Sequence, residues 1–512
     1  VADLGGSMLA GPDPLIDMWT VHWLSGHVLT PGELFGGNIF HPARHAVLYS
    51  DLSAGTAVLL VPLRLFIEDP VPLHNAAVLI ALAFSGWAFH ALARELTGSS
   101  SAGLISGVMA AFGSHQMSHV YHLNLLSTGW IALLLLALHR LVRSPTSGCA
   151  LLAGVSFALS AQSSGYYAVA ATVLALVFAA CHWRWLRAAR AFKAATAAAA
   201  LGVLLTLPYL HAFLELREEE GLRRPPGMSA RMAFRPPRDL GSRSYLYGAV
   251  LDTGGERLFP GLLALSLGAV AVLRRRPATG FYAAATGALL LLSLGPALEL
   301  GGHTLPLPYG WLLEVPPLDS MRHPYTFAAV ATLTLAVLAG IGWRALAVAG
   351  PRSAAPLAVL LAVAETVGPA PATRAVPRGL PPVYTLLESL PPGPLLEVPV
   401  SAPDALLWAA RHGRPVLNGD GAFMPSRSGL LERYIQNHWL KRLPVDVDET
   451  KPTWMLTEEL PVRYVILPVG RRHGFRELAE AFDRSQSFAF VAEASDGDRI
   501  YEVREFAARV PR

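Results

Sequence analysis

AGPDPLIDMWTVHW, Ala10 to Trp23, places two acids four residues apart, beside two tryptophans and a histidine, near the start of a chain that is otherwise mostly apolar. Asp13-Pro14 reads as a helix start, with the acid at the cap and the proline at the first helical position. Asp17 follows one turn later on the same face, with Trp19, His22 and Trp23 behind it. Acids of this kind are costly in a bilayer core. Where this segment lies relative to the membrane therefore decides how the whole chain is read.

The 512 residues are 53% hydrophobic and only 15% charged, with a mean hydropathy of +0.40, too apolar for a soluble protein of several domains. The net charge of +4 comes from arginines set mostly between apolar runs, as membrane-flanking loops require, so nucleic acid is not an expected partner. Cys149 and Cys181 have no pairing or metal-ligand spacing around them. No basic, signal-like segment opens the chain, which starts at Val1 in a polar, glycine-rich stretch; a further membrane helix upstream is expected.

Ten apolar runs approach the roughly 20 helical residues that cross a bilayer: about 72–92, 101–114, 124–142, 148–163, 165–183, 192–214, 258–273, 279–297, 325–349 and 354–368. Arg94, then Arg140 and Arg143, then Arg184, Arg187, Arg190 and Lys193, then Arg274 to Arg276, then Arg344 and Arg352, fall in alternate loops. Those loops are expected in the cytoplasm. The opposite loops, with both ends of the chain, then face outward. They hold Ser114–His122, Ala161–Tyr167, Glu215–Arg257 and Glu299–Pro324. The third carries eight arginines against seven acids, so either the topology fails there or those arginines have a task. Ser50–Phe66 is too short to span and contains Pro62 and Arg64; as an interfacial or re-entrant helix it preserves the arginine alternation.

After Ala370 a proline-rich stretch leads into soluble-type sequence. Leu395–Val400, Arg463–Val469, Phe488–Ala494 and Arg499–Glu505 read as strands, and Pro382–Leu390 and Phe475–Phe482 as helices. The expected fold is mainly α. It is a polytopic membrane bundle over residues 1–370, with juxtamembrane helices in a first outer loop at 1–70, followed by a linker and a small α/β domain at 371–512.

Chemistry is expected at the outer face, because the membrane runs hold almost no charge, Glu365 being the chief exception. Asp13 reads either as a helix cap or as a reactive acid. Asn38–Asp51 adds His41, Arg44, His45 and Asp51 to the same loop. His115, His119, His122 and Asn124 form a third polar cluster, its histidines on one helical face at spacings of four and three. They read either as ligands of a divalent cation or as interfacial histidines at a helix end. Arg322 and His323 stand at the mouth of a membrane helix, where the guanidinium either holds a phosphate or anchors the helix by snorkelling.

The order of these features resembles the C-type glycosyltransferase superfamily, in particular its bacterial members of unassigned substrate. The resemblance rests on GPDPLIDMW, NIFHP with LYSD, HVYHLNL, QSSGYY, ERLFPG, RHPYTF and VRYVI, which span nearly the whole chain. It implies a multi-pass enzyme of the bacterial inner membrane whose C-terminal domain lies outside the cytoplasm. The implied reaction moves a sugar from a polyprenyl-phosphate donor to a glycan, lipid or protein acceptor of the cell envelope. It also implies that the outer-loop aspartate, here Asp13, is the catalytic base. The expected supporting or substrate-binding set is Asp17, His22, His41, Asp51, His119, His122, Asn124, Tyr166 of the QSSGYY match, Arg322 and His323. Where some members carry an acid in the second outer loop, this chain has His119, His122 and Asn124. A multi-spanning transporter or a scaffold for envelope assembly is the alternative reading.

Overall fold

The computed structural model describes residues 3–221, 245–246, 257–300, 303–347, 354–402, 404–440, 454–471, 474–504 and 506. Each of the ten apolar runs contains a helix: Pro70–Thr97, Ser100–Phe112, Gly129–Arg143, Ser147–Ser163, Gly165–Cys181, Ala189–Glu219, Leu262–Leu273, Thr279–Ser293, Tyr325–Ala347 and Ala354–Thr366. Local chemistry sets their limits. Asp69 caps the first of them by accepting a hydrogen bond from the Val71 amide at 2.8 Å, Pro70 occupies its first turn, and Gly98 ends it in the left-handed region. Ser99 and Thr146 cap the helices that follow them.

Four helices are long and apolar enough to cross a membrane: Pro70–Thr97, Leu123–Arg143 with its short first turn, Ala189–Glu219 and Tyr325–Ala347. The chain is a multi-pass membrane protein by these helices. Among the described residues four of the ten expected runs thus hold a helix of full membrane length, and the others hold shorter ones. Several of the others stop short because the backbone leaves the helical region at a polar or glycine residue, as at Gly113 and Ser164. Those breaks build the site described below. Tyr325–Ala347, with 89% of its apolar window buried, is the axis of the bundle, whereas Ala189–Glu219, at 17%, lies on its lipid-facing edge. Gly342 is where the axis touches Leu262–Leu273: a Cβ there would strike the Leu267 carbonyl oxygen.

The C-terminal ends of Pro70–Thr97 and Gly129–Arg143 meet through Glu95, away from their N-terminal ends, so the bundle has two unlike ends. One holds the arginine-bearing turns, where Arg140 and Arg143 share Glu95, each at 2.8 Å. The other receives the first region of the chain. There the helix Ala54–Leu60 is wedged into the bundle, with the Gly55 amide bonded to Ser163 Oγ at 2.9 Å, its carbonyl to Trp130 Nε1 at 2.8 Å, and Thr56 to Ser127 at 2.7 Å.

The C-terminal region carries a four-stranded mixed sheet. Its strands are β5 (Leu395–Glu397), β6 (Tyr464–Leu467), β7 (Phe488–Glu493) and β8 (Arg499–Val503), in the order β5-β6-β8-β7. β5 and β6 are parallel and the other pairs antiparallel. The helix Phe475–Arg484 buries Phe475, Leu478, Ala479 and Phe482 among the side chains of this sheet. This region is stitched to the start of the chain. β1 (Ser7–Leu9) pairs antiparallel with β4 (Thr373–Ala375), inside the proline-rich stretch, while β2 (Ala297–Leu300) and β3 (His303–Pro306) form a separate antiparallel hairpin before Tyr325–Ala347. Asp3 meets Arg378 at 3.0 Å, and Asp69 meets Arg411 at 2.9 Å. One hydrophobic core contains Trp19, Phe40 and Tyr49 together with Tyr384, Leu406 and Trp408.

Candidate functional site

Three acids of the first region hold three consecutive residues of the histidine-rich turn. Asp13 Oδ2 lies 3.5 Å from His122 Nε2. Asp17 Oδ2 accepts the Leu123 amide at 2.7 Å. Asp51 Oδ2 accepts Asn124 Nδ2 at 2.5 Å and, more loosely, Ser164 Oγ at 3.4 Å. The clasp seats the helix Asp13–His27 on the start of Leu123–Arg143, and each acid has a different environment.

Asp13 does not cap its helix. Pro12 already has helical angles, φ −74 and ψ −44, and its carbonyl accepts the Leu15 and Ile16 amides; no side-chain cap bond forms. The Asp13 carboxylate is therefore free of the backbone role read from Asp-Pro. Its side chain is half exposed, and the bond to His122 holds its pKa below the ordinary value, outweighing the opposing effect of burial. Asp17 is buried, which pushes its carboxyl up to about 7 despite the amide it accepts. Asp51 is likewise pushed up by burial, against its bonds to Asn124, Ser164 and the Gly165 amide.

The three histidine rings pack against one another at tilted angles. The helix Ser114–Ser118 ends at His119, so the three do not share one helical face. The His115 and His119 rings lie 4.1 Å apart, His119 and His122 5.6 Å, and His119 and Tyr325 6.2 Å. His119 Nδ1 is engaged with the His115 carbonyl at 3.0 Å, and burial holds its ring neutral down to about 4. Among the described residues no group of three or more His, Cys, Asp or Glu is arranged to hold a metal ion.

This row leads from Asp13 to the second half of the site. His323 lies 5.3 Å from the Tyr325 ring and 6.4 Å from Tyr166. The Tyr166 hydroxyl oxygen accepts the backbone amides of both Arg322 and His323 at 2.7 Å, which fixes the Met321–Pro324 turn. The Arg322 side chain is exposed and meets no acid among the described residues. Just before it, Asp319 is bound bidentately by Arg217, at 2.6 and 2.5 Å. Of the arginines expected from Glu215–Arg257, Arg217 is thus committed to an ion pair; those at 222–244, together with Glu256 of the ERLFPG match, fall outside the described residues.

Two expected members lie apart from this cluster. His22 Nε2 bonds the Glu68 carbonyl at 3.2 Å, and burial together with nearby Arg64 pushes its pKa down to about 4. His41 belongs to the seam with the C-terminal region, where its amide bonds the Val416 carbonyl at 2.9 Å.

One acid at the mouth was missed in the sequence. Asp420 stands in the loop Asn418–Phe423, which lies against the Tyr49–Asp51 turn. Gly421 is so close to the Tyr49 carbonyl that a Cβ would approach it to 2.7 Å, and the Phe423 and Tyr49 rings are 5.3 Å apart. Glu220 secures the same corner, accepting the Tyr49 hydroxyl and the Ser426 amide, each at 2.8 Å. Burial raises the Asp420 carboxyl, and the nearby Asp13 charge adds to the rise. An acid between two glycines, as in Asn-Gly-Asp-Gly, was the available signal.

No family model matches the chain, and no curated protein matches it in sequence. Its structure matches, over 99% of this chain and 96% of the other, that of ArnT from Cupriavidus metallidurans in the apo state, at 14% identity and a TM-score of 0.45. It is also similar to the Archaeoglobus fulgidus oligosaccharyltransferase in complex with Zn and sulfate, at 13% identity and a TM-score of 0.40, over 96% of this chain and 69% of that one.

Proposed function

We propose that the protein is a C-type membrane glycosyltransferase that moves a sugar from a polyprenyl-phosphate donor to a cell-envelope glycan, lipid or protein at the outer face of the bacterial inner membrane. The observation that carries this reading is Asp13: a carboxylate kept ionised by His122, released from helix capping, and half exposed at the same bundle end as the exposed guanidinium of Arg322, which meets no acid among the described residues. Asp13 takes the proton of the acceptor hydroxyl as that oxygen attacks the anomeric carbon. The bond from that carbon to the phosphate oxygen breaks, and polyprenyl phosphate leaves with the electron pair. Arg322 meets the departing charge, a task suited to a planar, permanently charged group.

The remaining residues divide between positioning and recognition. Asp17, Asp51 and Asn124 hold the clasp, Tyr166 holds the arginine turn, and His323 and His119 line the space between. Asp420 faces the acceptor side from the C-terminal domain, 371–512, which in this reading lies outside the cytoplasm while the arginine-rich end faces inward.

The test is Asp13→Asn in purified protein, with transfer from synthetic polyprenyl-phosphate sugars to envelope extract as the readout. Loss of about 10²-fold or more is expected, the usual weight of a positioned base. Undiminished transfer by the variant removes Asp13 as base. No transfer by the wild type with any donor favours the transporter or scaffold reading instead.

A further inference from the structure

At the bundle end opposite the site, the turn between Gly165–Cys181 and Ala189–Glu219 reads HWRWLRAARAFK, His182 to Lys193. It carries Arg184, Arg187, Arg190 and Lys193, all exposed. No aspartate or glutamate occurs between Glu95 and Glu215. Two groups of cations at this end differ in their surroundings. Arg140 and Arg143 share the single negative charge of Glu95, while the four in this turn meet no acid among the described residues.

Two exposed aromatic side chains interleave with them. Trp183 is 47% and Phe192 60% exposed. The Arg187 guanidinium lies 3.9 Å from the Trp183 ring centroid and that of Arg184 5.8 Å, so the tryptophan is held between charges. Both flanking helices are apolar, and Ala189–Glu219, which begins within this stretch, is long enough to cross a membrane. Cations with interleaved aromatics at that depth match the boundary where lipid phosphates meet acyl chains. An acidic protein partner would satisfy the charges but would leave Trp183 and Phe192 without an apolar phase.

We propose that this turn binds the headgroup phosphate of anionic phospholipids, with Arg184, Arg187, Arg190 and Lys193 taking the phosphate and Trp183 and Phe192 seated in the acyl boundary. The inference requires only that the bundle spans a membrane and is independent of glycosyl transfer.

Cys181, exposed at the start of the turn, gives a local reporter. The full chain carrying Cys149→Ser is labelled at Cys181 with a fluorophore and reconstituted in phosphatidylcholine vesicles containing equal fractions of brominated phosphatidylglycerol or brominated phosphatidylcholine. The anionic quencher is expected to act about fivefold more effectively, the weight of roughly one headgroup contact. The preference should fall in high salt, which needs no variant, and should vanish in Arg184→Gln/Arg187→Gln/Arg190→Gln. Equal quenching by the two lipids, or a preference untouched by both salt and substitution, overturns the proposal. So does loss of the preference on adding millimolar glycerol phosphate, which identifies a soluble anion as the ligand.

Discussion

Asp17 and Asp13 are one helical turn apart, and their surroundings drive them in opposite directions. Asp13 gains a histidine partner and exposure; Asp17 gains a single amide and burial. The Asp17 carboxyl titrates near 7 in the folded protein against roughly 4 in the unfolded chain. Below about pH 4 both states hold the proton and the group is neutral toward stability. As pH rises to about 7 the unfolded chain releases its proton while the folded one keeps it, so stability falls and then levels off. Asp17→Asn keeps an oxygen for the Leu123 amide and has no charge to bury. Its thermal unfolding midpoint should match the wild type near pH 4 and exceed it increasingly toward pH 8, by an amount corresponding to on the order of 4 kcal/mol. A gap that does not change with pH would assign the effect elsewhere. Both acids were legible as candidates in GPDPLID, but their division of labour was not. Pro12 brings the helix start forward by one residue, and Leu123, the partner of Asp17, is 106 positions away.

Tyr166 shows the same limit at the level of elements. The QSSGYY motif marks it, yet its bonds go to amides 156 and 157 residues further on, beyond any local pattern. The histidine spacing misled for a related reason. A four-and-three repeat places side chains on one face only while the helix continues, and this one ends at His119, where the rings pack at tilted angles instead. Because one hydroxyl oxygen fixes both amides ahead of Pro324, Tyr166→Phe should loosen the turn without emptying the site. The amides of this exposed turn can turn to water, so the cost in stability should be about 1 kcal/mol, read as a small drop in unfolding midpoint. In the transfer assay the variant should need severalfold more donor for half-maximal rate, with the maximal rate changed less, because a wandering Arg322 weakens the hold on phosphate. Unchanged donor dependence would leave Tyr166 a packing residue only.

For the molecule as a whole, periodicity and charge carried the reading furthest where each residue answers to the bilayer, and least where distant segments meet. All ten apolar runs contain helices and the four C-terminal strands lie where alternation placed them, because both patterns are local. The β1–β4 pairing, the Asp69–Arg411 bridge and the seating of Asn418–Phe423 against Tyr49 join segments more than 300 residues apart, and no composition change announces them. These contacts fasten the C-terminal region to the site end of the bundle, so the two must share one side of the membrane. Ser147, in an exposed turn at the arginine end, and Gly413, in an exposed turn of the C-terminal region, should therefore report from opposite sides. Single cysteines at these positions, in a chain lacking Cys149 and Cys181, can be challenged in intact cells with a membrane-impermeant thiol reagent. Labelling of the Gly413→Cys chain alone is the expected result. Labelling of the Ser147→Cys chain alone would invert the molecule and put Asp13 in the cytoplasm, where a donor presented at the outer face could not reach it.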